Sequence, residues 1–84
     1  MENRTLEILD QLQILIRKEL ENHSLILLMT SKAADFDEWT SLTHMRIINA
    51  IENFYTIRFA FQEIINFETI ADIIETIVRH KPNT

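Results

Sequence analysis

The chain has no glycine in its 84 residues, and its single proline stands at position 82. Glycine lets a backbone pass through positive φ without strain, and proline presets the corner of a turn. A chain short of both has few sites for the tight hairpins of a β-sheet, and helices joined by polar connections are the architecture it favours. Cysteine is absent as well, so no disulfide or thiolate-held metal can staple the fold and packing must hold it. The length allows one small domain, residues 1–84, with a thin stability margin. An apolar fraction of 46% against 25% charged is that of an ordinary globular protein, which argues against disorder.

Periodicity places the helices. Leu6, Leu9, Leu12, Leu15, Ile16 and Leu20 recur at threes and fours and predict a first helix over about 5–20. Asn3 or Thr5 is its expected N-cap, with Glu7 in the first turn and Arg17 and Lys18 in the last, as the helix dipole favours. From 21 to 40 the pattern fades, and Asn22, His23, Ser24, Thr30 and Ser31 offer side-chain bonds that compete with helix. The apolar run Leu25–Met29 has no second strand to pair with, so it reads as a long connection whose leucines dip into the core, anchored further by Phe36 and Trp39.

A second helix is predicted over 41–54, with Leu42, Met45, Ile48, Ile51 and Phe54 as its stripe, Ile47 and Tyr55 widening it, and Thr43, His44, Arg46, Asn49 and Asn53 outside. Residues 55–59 break the pattern and read as extended. A short helix over 60–66 presents Phe61, Ile64 and Ile65. A last helix over 69–80 opens on Thr69 and Asp72, spaced as a capping box, and ends on Arg79, His80 and Lys81 before a tail at 81–84. The expected fold is all-α, a small antiparallel four-helix bundle with a long first loop.

Charge and composition exclude several functions. A formal net charge of -5, with only 8 Lys and Arg residues scattered along the chain, argues against a nucleic-acid backbone as ligand and for basic partner proteins. The longest apolar run, Leu25–Met29, is too short to span a bilayer, and no leader pattern opens the sequence, so a cytoplasmic location is expected. His23, His44 and His80 share no metal-ligand spacing and read as surface histidines. No nucleophile, base and orienting group recur at useful spacing, so no catalytic residue is assigned.

The run Trp39-Thr40-Ser41-Leu42, then Ala50-Ile51-Glu52-Asn53-Phe54, Ile57-Arg58-Phe59, Glu63-Ile64 and Thr69-Ile70-Ala71-Asp72-Ile73-Ile74, resembles the acyl carrier proteins over essentially the whole chain. The resemblance implies a carrier, not an enzyme: Ser41 would bear a 4'-phosphopantetheine arm, placed there from coenzyme A by a phosphopantetheinyl transferase. The arm's thiol would hold acyl or aminoacyl groups as thioesters for acyl-activating and acyl-transferring enzymes of lipid, polyketide or surface-glycan pathways. A chain without cysteine can carry a thioester only on such a cofactor. The partner-facing positions the resemblance implies are Asp35, Asp37, Glu38, Thr40, Leu42, Met45 and Glu52. Glu63, Glu68, Asp72 and Glu75 form a separate run free of cations. A monomer is expected.

One position departs from the family. Thr40 stands where the resembling proteins have the aspartate that the transferase recognises, and the nearest substitute carboxylate is Glu38. Two readings follow: a modified carrier, or a carrier-like interaction module that Thr40 leaves unmodified. Judged without its neighbours, Ser41 would be only a helix N-cap.

Overall fold

Leu12, Ile16 and Leu20 of the first stripe, joined by Ile8 from outside it, form one wall of the core in the computed structural model, which describes residues 3–81, whereas Leu6 of that stripe is exposed. They lie on α1 (Asn3–Leu20), followed by α2 (Ser41–Tyr55), α3 (Phe61–Asn66) and α4 (Ile70–His80), with one 3-10 turn at Ala33–Asp35 in the first connection. The result is a four-helix bundle in which α1 packs on α2 and α4. Among the described residues no strand forms. The expectations for Pro82, Asn83 and Thr84 lie outside them.

Helix α1 starts earlier than its periodicity indicates. Asn3 and Thr5 both lie inside it, so neither caps it, and its first turn carries no acid because Glu7 comes one turn later. At the other end the absence of glycine has a visible consequence. Glu21 takes φ 53 and Thr56 takes φ 56, left-handed positions that close α1 and α2 where other chains place glycine. After α1, Asn22 N donates to Arg17 O at 3.0 Å and Glu21 N to Lys18 O at 3.3 Å. After α2, Ile57 N donates to Glu52 O at 3.0 Å. These bonds satisfy carbonyls that each helix end would otherwise leave open.

The long first connection is held by its own contacts. Arg17 Nε donates to Leu25 O at 2.7 Å, and Leu27 N donates to Gln13 Oε1 at 2.7 Å, so the extended segment runs along α1. Leu25 and Leu27 are buried, whereas Ile26 and Leu28 point to solvent. Only alternate members of the apolar run therefore enter the core, as an extended backbone requires. Further on, Ile70 N donates to Ser31 O and Ala71 N to Met29 O, both at 2.9 Å, beside an antiparallel bridge between Lys32 and Thr69. The loop thus supplies carbonyls to the first amides of α4, which have no intrahelical partner.

The expected stripe of α2 is corrected. Ile47, Ile48 and Ile51 are buried with Glu52, while Leu42 (66% exposed), Met45 (46%) and Phe54 (54%) face outward. Every third residue falls about 60° short of a full turn in a helix of 3.6 residues per turn, so a run at strict threes winds away from the core. Helix α3 is corrected likewise. Phe61 is 74% exposed and Ile65 is exposed too, leaving Ile64 as its partly buried contact with the core. Helix α4 behaves as its pattern predicts: Ile70, Ile73, Ile74 and Ile77 are buried. Thr69 caps it, its Oγ1 accepting from Asp72 N at 3.3 Å while Asp72 Oδ2 accepts from Thr69 N at 3.1 Å.

Candidate functional site

Thr40 and Thr43 determine how Ser41 is presented. Thr43 N donates to Thr40 Oγ1 at 3.3 Å, Thr40 N donates to Thr43 Oγ1 at 2.7 Å, and the Thr43 hydroxyl donates to Glu38 O at 2.8 Å. The cap is therefore Thr40, and Ser41 is the first residue of α2. That corrects the reading of Ser41 as a plain N-cap. Its exposed hydroxyl takes part in no hydrogen bond among the described residues. The amides of Ser41 and Leu42 likewise have no backbone or side-chain acceptor among them. An unengaged hydroxyl beside two outward-pointing amides at the N-terminus of a 15-residue helix is a site where a phosphate ester is electrostatically favoured.

The acids of the approach loop are divided. Asp35, Asp37 and Glu38 are exposed, but two carboxylates have partners within the chain: Asp35 Oδ2 accepts from Lys32 N at 2.9 Å and Glu38 Oε2 from Asn22 Nδ2 at 3.1 Å. Glu38 is thus drawn toward the end of α1. Leu42 and Met45 flank Ser41 as exposed apolar side chains on the same helix.

Glu52 does not belong with them, and its expected role in facing partners is corrected. It is 8% exposed, with Oε2 accepting from the buried Phe59 N at 2.9 Å and Oε1 lying 3.6 Å from the exposed Arg58 guanidinium. Its carboxylate fastens the segment after α2. The acidic run over the last two helices is also not free of cations in space. His80 Nε2 lies 3.0 Å from Glu63 Oε1 and Arg79 Nη2 lies 4.0 Å from Oε2, which, with the Ala60 amide, hold the Glu63 carboxyl below its ordinary range.

His44 is a further correction. It is half-buried, not a surface residue, and its Nδ1 accepts from the indole Nε1–H of Trp39 at 3.0 Å. Burial pushes its pKa below the usual imidazole value. Trp39 is buried and stacks on Phe36 with ring centroids 6.2 Å apart. Periodicity alone could not find this pair, because His44 sits at the margin of the buried face of α2. Among the described residues no group of three or more His, Cys, Asp or Glu side chains is placed to hold a metal, and no helix is long and apolar enough to cross a membrane.

No protein-family model matches the sequence, and no curated protein matches it. A solved structure does: the solution NMR structure of a holo acyl carrier protein from Geobacter metallireducens superimposes with a TM-score of 0.80 and is 30% identical, over 86% of this chain and 83% of that one. The chain belongs to the acyl carrier protein family. As an acyl carrier protein it is a carrier and not an enzyme. In this carrier the loop-to-helix step at Thr40–Ser41 combines an exposed, unengaged hydroxyl with a helix N-terminus.

Proposed function

We propose that this carrier is modified on Ser41 by a phosphopantetheine arm and presents acyl or aminoacyl groups to partner enzymes. The observation that carries the proposal is the free Ser41 hydroxyl at the first position of α2, with the capping role taken by Thr40. That the similar Geobacter metallireducens carrier was solved in its holo form supports it.

In the loading step a transferase would bring coenzyme A to this junction. Ser41 Oγ would bond to the phosphorus that bears the pantetheine, the pyrophosphate link would break, adenosine 3',5'-bisphosphate would leave, and the hydroxyl proton would pass to a base of the transferase. The amides of Ser41 and Leu42 and the positive end of α2 favour the negative charge the ester brings. The bound arm supplies the thiol that the cysteine-free chain lacks. The carrier's own contribution is tethering, which raises the local concentration of the cargo at each partner. Asp35, Asp37, Leu42 and Met45 form the exposed surface around Ser41 for those partners, with Glu38 at its edge. The acyl cargo is of the lipid, polyketide or glycan-decorating kind, handled in the cytoplasm by a monomeric carrier.

A second reading rests on Thr40. It reproduces the capping geometry of an aspartate without its charge, and the Glu38 carboxylate is engaged by Asn22. Loss of transferase recognition would leave an unmodified interaction module. The test uses the absence of cysteine: thiols are titrated after incubation with coenzyme A, magnesium and a broad-specificity transferase. One thiol per chain for wild type and none for Ser41→Ala supports the carrier. No thiol on wild type, with ready loading of Thr40→Asp, supports the module.

A further inference from the structure

Trp39 and His44 lie two residues before and three residues after Ser41, and a hydrogen bond joins them across it. An indole can only donate, so Nδ1 of His44 must be the acceptor and the ring is neutral with its proton on Nε2. The two rings lie 6.1 Å apart at 34°, and Phe36 stacks on the indole at 26°. The small cleft bordering both residues, walled by Ser31, Phe67, Thr69 and Ile73, holds about 10 Å³ of free space. That is room for about one water at most. Trp39 belongs to the loop and His44 to the first turn and a half of α2, so this bond fixes the angle at which the loop delivers Thr40 and Ser41.

We propose that Trp39 and His44 are positioning residues for the Ser41 hydroxyl, forming a clasp between loop and helix that opens when His44 gains a proton. The proposal rests on Ser41 being the attachment residue. Protonation turns Nδ1 from acceptor to donor, and two donors then face each other across 3.0 Å. The half-buried site resists that protonation until the pH falls below the ordinary imidazole range, in keeping with the direction in which burial moves His44. Among the described residues, Glu68, on the segment between α3 and α4, is the one other ionisable residue lining the cleft; Arg46 is on His44's own helix, and Glu38 on the loop directs its carboxylate to Asn22.

The experiment follows the full chain between about pH 8 and about pH 5, the range in which an imidazole changes charge. The indole N–H resonance of the single tryptophan is recorded alongside the rate of phosphopantetheine transfer for wild type, H44Q, H44F and E68Q, each shown to be helical by circular dichroism. Rates are compared with H44Q at each pH, because glutamine can accept the indole proton but does not titrate; the transferase's own pH dependence then cancels.

The expected result is an indole resonance that moves with pH in wild type and E68Q but not in H44Q or H44F. With it, the wild-type rate should fall several-fold against H44Q as pH drops, and H44F should be slow throughout. Equal rates for wild type, H44Q and H44F at every pH would overturn the positioning role alone. A pH response that E68Q abolishes would also overturn it, by moving the titration to Glu68. Absence of transfer to any variant at any pH would overturn the attachment reading and the clasp's role together.

Discussion

Glu52 reaches across the end of α2 to accept the buried amide of Phe59, Oε2 to N, at 2.9 Å. The acceptor is ionisable, the donor amide belongs to a residue 7% exposed, and six residues of chain lie between them, including the left-handed Thr56. Glu52→Ala removes the acceptor and leaves the Phe59 amide unpaired, at a cost of about 2 kcal/mol. Urea unfolding should show that loss, whereas Arg58→Ala, which removes a side chain that is 86% exposed, should change the midpoint little.

Thr56 offers the opposite experiment. A β-branched residue at φ 56 is strained, and the sequence has no glycine to spare it. Thr56→Gly is expected to stabilise the fold by about 1 kcal/mol, read as a higher urea midpoint at unchanged slope. A lower midpoint would mean that the threonine side chain stabilises the turn more than its backbone strain costs.

Thr40 separates capping from recognition. Thr40→Ala removes the oxygen that accepts from Thr43 N and should cost about 1 kcal/mol of stability. Thr40→Asp keeps an acceptor there and adds a charge that the helix N-terminus favours. It should retain wild-type stability or slightly more, and should be loaded by the transferase faster than wild type. Thermal unfolding and transfer rates on the same preparations distinguish the two effects.

Asp72 makes the stability depend on acid. Its carboxylate accepts from Glu68 N at 3.0 Å and Thr69 N at 3.1 Å, and these backbone bonds hold its pKa below the usual 3.8. The unfolded chain binds this proton at higher pH than the folded one. The contribution is therefore complete above about pH 4 and disappears as the pH falls from there through the lower folded value. Asp72→Asn should lose less stability than wild type over that acid range. An identical acid profile for the two proteins would show that the cap does not carry the effect.

Much of this was legible in the sequence, for reasons that differ by element. Helix α4 shows both its cap and its stripe, because Thr69, Asp72 and the isoleucines are local to one helix and all four isoleucines are buried. Helix α2 was legible in extent but not in facing. Leu42, Met45 and Phe54 are apolar without being core, and a pattern cannot distinguish an apolar side chain kept for the inside from one left outside. The junction at Ser41 was visible from its spacing. The Trp39–His44 bond and the anchoring of Glu52 were not, since each depends on where a turn brings two side chains or a side chain and an amide together. Replacing Ile73 with Asp tests the legible part: a buried, unpaired charge costs several kcal/mol against a domain stability of roughly 5 to 15, and the helical circular dichroism signal should largely disappear.

On the proposed carrier reading Ser41, and not a neighbouring hydroxyl, bears the arm. Three hydroxyls cluster at the junction, but those of Thr40 and Thr43 are engaged in the cap and the Ser41 hydroxyl is not. Fragmentation mass spectrometry of the transferase-treated protein tests this most directly. One phosphopantetheine localised to Ser41, with Thr40 and Thr43 unmodified, is the predicted result; modification on either threonine, or none on a chain incubated beside a carrier that loads normally, would contradict it.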